Sequence, residues 1–170
     1  MRHQIHLLRH AKSSWEHTDL RDHDRPLAPR GCRAAERLRS HLEAAGVAPQ
    51  LVLCSSATRA LQTWEGIRDG LPPETRFEVS GDLYDADARS LLLRLNHLPE
   101  TVRSVLLIGH NPAMEELATG LSGGGDDDAL SRMKAKYPTG GLATLTFDGT
   151  WSELSWQGAT LDDFLMPRDM

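Results

Sequence analysis

Three short apolar runs in this chain each end in side chains able to do chemistry. Leu7-Leu8 runs into Arg9-His10, Leu51 to Cys54 into Ser55-Ser56-Ala57-Thr58-Arg59, and Val105 to Ile108 into Gly109-His110-Asn111. Two histidines and two arginines, with no nearby cysteine nucleophile and no G-x-S-x-G elbow, suit phosphoryl transfer. Arginine's planar fork grips phosphate oxygens in pairs and stays cationic when partly buried. A neutral imidazole can attack phosphorus and give a phosphohistidine that water resolves in a second step. Flanking arginines disfavour the protonated imidazole and stabilise the equatorial oxygens of the transition state. Taken singly, each residue has an ordinary reading: a structural histidine after a strand, surface ion pairs for Arg9 and Arg59, a helix start at Asn111-Pro112. The argument rests on their coincidence, because the carboxyl ends of strands in an open α/β sheet form the ligand crevice.

The surrounding pattern supplies such a sheet. Gln4 to Arg9 reads as a buried first strand, and His17 to Arg25, with Asp19, Asp22 and Asp24 among Arg21, His23 and Arg25, as an exposed mixed-charge loop. Ala34, Ala35, Leu38, Leu42 and Ala45 share a helical face that Gly46 ends. Leu51 to Cys54 is a second strand, and the helix carrying Leu61, Trp64 and Arg68 breaks at Gly70-Leu71-Pro72-Pro73. Phe77 to Ser80 reads as a short third strand, Gly81 to Asp85 as a loop, and Leu91, Leu92, Leu95 and Leu98 as a helix. Val105 to Ile108 is the most continuous strand, and the helix after it, with Met114, Leu117, Ala118 and Leu121, stops at Gly123-Gly124-Gly125. Gly123 to Asp128 reads as a solvated loop, since a bare acidic run lacks the spaced ligands of a hard-cation site. Leu142 to Phe147 and Glu153 to Trp156 read as a terminal hairpin. The expected fold is α/β: a three-layer α/β/α sandwich with a mostly parallel sheet and an antiparallel edge.

Composition narrows the partners. A chain of 170 residues with 39% hydrophobic and 25% charged residues forms one globular domain. No apolar run reaches the ~20 residues of a spanning helix, and Ile5 to Leu8 is too short for a signal-peptide core, so a cytoplasmic protein without membrane partners is expected. A net charge of -5 argues against general nucleic-acid binding. Arginines nevertheless crowd the first forty residues, which allows a small anionic substrate there; Arg33, Arg37 and Arg39 read as a solvated helix face. Cys32 and Cys54, within a predicted helix and strand, read as reduced core thiols. No histidine pair has metal-ligand spacing with a third ligand nearby, so neither metal nor other cofactor is expected. The sequence carries no signal for oligomeric state.

With these motifs in hand, the chain resembles the histidine phosphatase superfamily, which includes cofactor-dependent phosphoglycerate mutase. Leu8-Arg9-His10 is similar to its R-H-G signature, Ser55 to Thr63 to its second motif, and Gly109-His110-Asn111 to its third. Small size and the variant Arg9-His10-Ala11-Lys12-Ser13 are most similar to the SixA-type phosphohistidine phosphatases. The resemblance implies that His10 is the phosphorylated nucleophile and that Arg9, Arg59 and His110 complete a phosphate pocket, to which Asn111 is also expected to contribute. It also implies a phosphorylated substrate, either a phosphohistidine protein or a small phosphoester.

Two departures stand out. Ala11 replaces the signature glycine, which implies that a left-handed backbone is not required there or is tolerated at a cost. The family's usual acid is a glutamate after the third strand, and Gly81 to Asp87 has none; Asp85 is the nearest counterpart and Asp82 the second, and the SixA-type branch is similar in lacking a clear glutamate. A mutase is disfavoured because so short a chain leaves little room to enclose a phosphosugar between two half-reactions. A non-catalytic phosphate-binding module is the alternative of a different class.

Overall fold

The computed structural model describes residues 1–170. Seven strands form one sheet in the order β3-β2-β4-β1-β6-β7-β5. Strands β1 (Arg2–Arg9), β2 (Leu51–Ser55), β3 (Arg76–Ser80) and β4 (Ser104–Gly109) are mutually parallel. The predicted strands lie inside these bounds. β6 (Leu142–Asp148) runs antiparallel to β1 and to β7 (Ala159–Leu165), while β5 (Ser122–Gly125) pairs parallel with β7. The antiparallel strand therefore sits within the sheet, with β7 and β5 outside it.

Burial on both faces explains the continuous apolar runs. Side chains alternate across a strand, so Ile5, Leu7, Leu51, Leu53, Val105 and Leu107 enter one core cluster, and Leu8, Val52, Cys54, Leu106 and Ile108 the other. The first cluster is closed by α3 (Ala88–Asn96), α4 (Ala113–Leu121) and α5 (Asp127–Ala135). The second is closed by α1 (Pro29–Ala44) and α2 (Thr58–Ile67). Helices on both faces make the three layers. No helix is long and apolar enough to cross a membrane.

Three local expectations are corrected. Gly123 to Asp128 is not a loop: Ser122–Gly125 forms the edge strand β5, and the acidic run opens α5. The Asp126 carboxylate accepts the Ala129 N–H at 2.9 Å, and Asp127 and Asp128 occupy the first helical turn, where negative charge suits the helix dipole. Glycine is required in β5, since a Cβ on Gly125 would stand 2.1 Å from the Leu161 carbonyl oxygen. The second arm of the terminal hairpin is β7, not Glu153 to Trp156. Leu154 in that segment and Trp151 just before it plug the end of the core, and the Trp151 indole N–H donates to the Val102 carbonyl at 2.7 Å. A bulge in β7 leaves Asp162 and Asp163 consecutively exposed and hides the period-two pattern. Cys54 is buried as expected, but Cys32 is exposed on α1.

Candidate active site

The parallel pairing of β1 with β4 brings two sequence-remote motifs together. Arg9 lies opposite Gly109, and the His10 N–H donates to the Gly109 carbonyl at 3.0 Å. The His10 and His110 rings, one residue past their strands, consequently lie 5.1 Å apart between centroids. β2 ends beside them, with Ser55 Oγ 2.7 Å from His110 Nε2. Arg59 follows on the first turn of α2, and its charge and that of Arg9 both act on His10. Arg9, His10, Arg59 and His110 thus group at the carboxyl ends of β1, β2 and β4.

The state of His10 follows from its neighbours. Its Nδ1 lies 2.7 Å from the Ala11 carbonyl oxygen, which only accepts, so Nδ1 carries a proton. Burial above all, with the charges of His110, Arg59 and Arg9 adding to it against the opposing Ala11 bond, lowers its pKa to about 3. At neutral pH the ring is neutral, and the lone pair resides on Nε2. His110 is likewise lowered to about 4, by burial first and by Arg59 next.

Backbone contacts fix this geometry. The Ala11 N–H donates to Thr63 Oγ1 at 3.0 Å, and that hydroxyl donates to the Arg59 carbonyl at 2.7 Å, tying the loop after β1 to α2. Gln157 is the sole non-glycine residue with positive φ, so Ala11 sits without left-handed strain. Gly140 does need its freedom: at φ +76 its N–H is shared by the Arg9 and His10 carbonyls.

Arg9 Nη1 donates to the Tyr137 carbonyl at 2.9 Å. Arg59 spends both terminal nitrogens on Asp22, one on the carbonyl at 2.7 Å and one on Oδ2 at 3.0 Å. Arg9 Nε, Arg59 Nε and His110 Nδ1 are buried without a protein partner. A buried polar atom left unpaired costs roughly 1–3 kcal/mol, so three of them on residues grouped about one imidazole mark a place for an anion.

Asn111 and Asp85 stand apart from this group. The Asn111 amide donates to the Tyr137 carbonyl at 3.2 Å and its Oδ1 accepts the Glu115 N–H at 3.2 Å, so it joins the start of α4 to the Arg9 anchor. Asp85 is exposed, and no hydrogen bond or ion pair links it to the other site residues. The carboxylate at the site is Asp22, from the mixed-charge stretch His17 to Arg25, which the sequence does not mark as part of the site. Its Oδ2 also accepts from the Tyr84 hydroxyl at 2.5 Å, and its Oδ1 from Arg25 Nε at 3.1 Å. Tyr84 first, then Arg59 and Arg25, hold its carboxyl well below the usual carboxylate range. Tyr84 meets the His110 ring edge-on at 5.4 Å, and His23 Nε2 lies 2.8 Å from Ser56 Oγ. The one local signal for Asp22 was its i,i+3 spacing to Arg25.

Comparison with known proteins identifies a family. Residues 5–91 match the family model of the histidine phosphatase superfamily, branch 1. An uncharacterised Mycobacterium tuberculosis protein, Rv1276c, is 37% identical over 163 residues, spanning 95% of this chain and 100% of its own. A crystal structure from Agrobacterium tumefaciens, assigned as a phosphohistidine phosphatase SixA, is 31% identical with a TM-score of 0.79, covering 97% of this chain and 98% of that one. The protein histidine phosphatase SixA complexed with tungstate is 26% identical, with a TM-score of 0.78 over 98% of both chains.

Proposed function

Because the chain belongs to the histidine phosphatase superfamily, we propose that it is a metal-independent phosphohistidine phosphatase that works through phospho-His10. The observation that carries this reading is the unprotonated Nε2 of buried His10 among Arg9, Arg59 and His110. Nε2 attacks phosphorus as the bond to the substrate's imidazole breaks, and the departing ring keeps the bonding pair. The unpaired Nε groups of Arg9 and Arg59 supply donors for the equatorial oxygens. Water then attacks phospho-His10, the P–N bond breaks, and phosphate leaves with Nε2 free again.

The leaving group selects among substrates. An alkyl alkoxide needs a proton in the transition state, whereas an imidazole already protonated in solution needs none from the enzyme. Asp22 is held ionised by Tyr84, Arg59 and Arg25, and Asp85 is not bonded to the pocket, which favours phosphohistidine over alkyl phosphate. The similarity to SixA proteins supports the same choice. A phosphorelay substrate of this kind fits a cytoplasmic enzyme.

His10→Ala tests the assignment. Turnover should fall more than ~100-fold, the scale for losing a positioned catalytic group. Wild type quenched during turnover should carry phosphate stable to alkali and labile to acid. Phosphate mapped to Ser13 or Ser56 would overturn the assignment.

A further inference from the structure

Beside the crevice lies a second feature that the chemistry above does not use. A hollow of about 410 Å³ is ringed by Lys12, Arg30, Arg37, Arg132, Lys136 and Arg168, with no acidic residue in its lining. Arg132 is neutralised by Asp128 at 2.8 Å, with Asp169 and Asp163 at 3.5 and 3.9 Å. The other five cations have no carboxylate within ion-pair distance, although the chain as a whole carries a charge of -5.

The fold makes this convergence and joins it to the active site. Arg30, Ala34 and Arg37 form one stripe along α1, since residues three and four apart share a helix face. Lys136 follows α5 directly, and Arg168 belongs to the C-terminal turn Pro167–Asp169. Lys12 lies two residues after His10, and its carbonyl accepts the Ala28 N–H at 2.9 Å, just ahead of α1. Pro138 and Thr139 in the lining connect Tyr137, whose carbonyl anchors Arg9, to Gly140, which clamps His10.

We propose that this basic hollow is the docking surface for an acidic segment flanking the phosphohistidine of a protein substrate, an inference that rests on the function proposed for His10. Arg30, Arg37, Lys136 and Arg168 are all exposed. They form no buried, preorganised fork of the kind that selects a small anion, and exposed charges of one sign chiefly steer and orient a large partner. A net-negative enzyme repels an acidic protein from most directions, so a local basic patch adjoining the catalytic histidine determines which approach is productive.

The test compares free phosphohistidine with two 15-residue peptides that carry one phosphohistidine flanked by glutamates or by lysines. Wild type should prefer the glutamate peptide by about 10-fold or more in kcat/KM, expressed in KM and suppressed by added salt. The triple variant R30E/R37E/K136E should lose or invert that preference while free phosphohistidine is cleaved as before, and R30Q/R37Q/K136Q should fall between. Equal use of both peptides by wild type, or an equal loss on free phosphohistidine in the variants, overturns the docking surface. Saturable binding of inorganic pyrophosphate at the hollow with unchanged peptide discrimination assigns it to a small anion and overturns it too. Failure of wild type to cleave any phosphohistidine refutes the proposed function instead. In that event anisotropy of the labelled unphosphorylated peptides decides docking alone, with selective, variant-sensitive binding of the glutamate peptide supporting it and equal binding refuting it.

Discussion

Acid should unfold this protein by charging histidines that the fold holds neutral, and His6 allows that to be measured away from catalysis. His6 is 2% exposed, with Nδ1 3.1 Å from Thr144 Oγ1 and Nε2 3.2 Å from Gln4 Oε1. Burial lowers its pKa from 6.5 to about 4. A folded-state pKa below the unfolded value means that the unfolded chain takes up the proton first. Stability is therefore whole above about 6.5, declines as pH falls, and stops declining through this residue near 4. At about 1.4 kcal/mol per pH unit, His6 costs the fold about 2 kcal/mol by pH 5. His10 and His110, lowered to about 3 and about 4, act in the same direction. Together the three remove about 6 kcal/mol, against a typical total of about 5–15. His6→Gln keeps a polar side chain but cannot take up a proton. Urea denaturation followed by tryptophan fluorescence at pH 7.5 and 5.0 should show wild type losing about 2 kcal/mol more than the variant over that interval. Identical losses in both proteins would refute the argument that burial keeps these imidazoles neutral, and with it the basis for an unprotonated His10 at acidic pH.

Asp22→Ala should lower kcat/KM by about 10-fold, because one charge-assisted bond of roughly 1.5–3 kcal/mol no longer orients Arg59; steady-state kinetics showing a gain would mean that Asp22 competes with phosphate. Asp85→Asn should leave both phosphohistidine and an alkyl phosphate unaffected, whereas a loss of ~100-fold confined to the alkyl phosphate would make Asp85 the general acid. Full activity should survive exhaustive chelation, since arginines supply the positive charge that a divalent ion supplies elsewhere; restoration by added Mg²⁺ or Zn²⁺ would count against this site.

By itself the sequence determined the parallel half of the sheet and the reactive ends of its strands. Apolar runs such as Leu51 to Cys54 and Val105 to Ile108 are unbroken because both faces are buried, so their ends are sharp and Arg9-His10, Ser55 and His110 fall where a crevice must form. In the other half β6 was legible as Leu142 to Phe147, whereas β5, β7 and α5 were hidden for local reasons. Ser122–Gly125 has almost no side chains to show a period, the bulge at Asp162 breaks the alternation of β7, and α5 buries only Ala129 and Met133. Only the tertiary structure decided the protonation and surroundings of His10. The Ala11 carbonyl selects its tautomer, and burial between neighbouring strands keeps it neutral; both depend on chain neighbours within a few ångströms, which residue types do not reveal. The same holds for Asp22. As a sequence it is one acid in a charged loop, and it becomes a partner of Arg59 and Tyr84 because long-range packing brings three segments together.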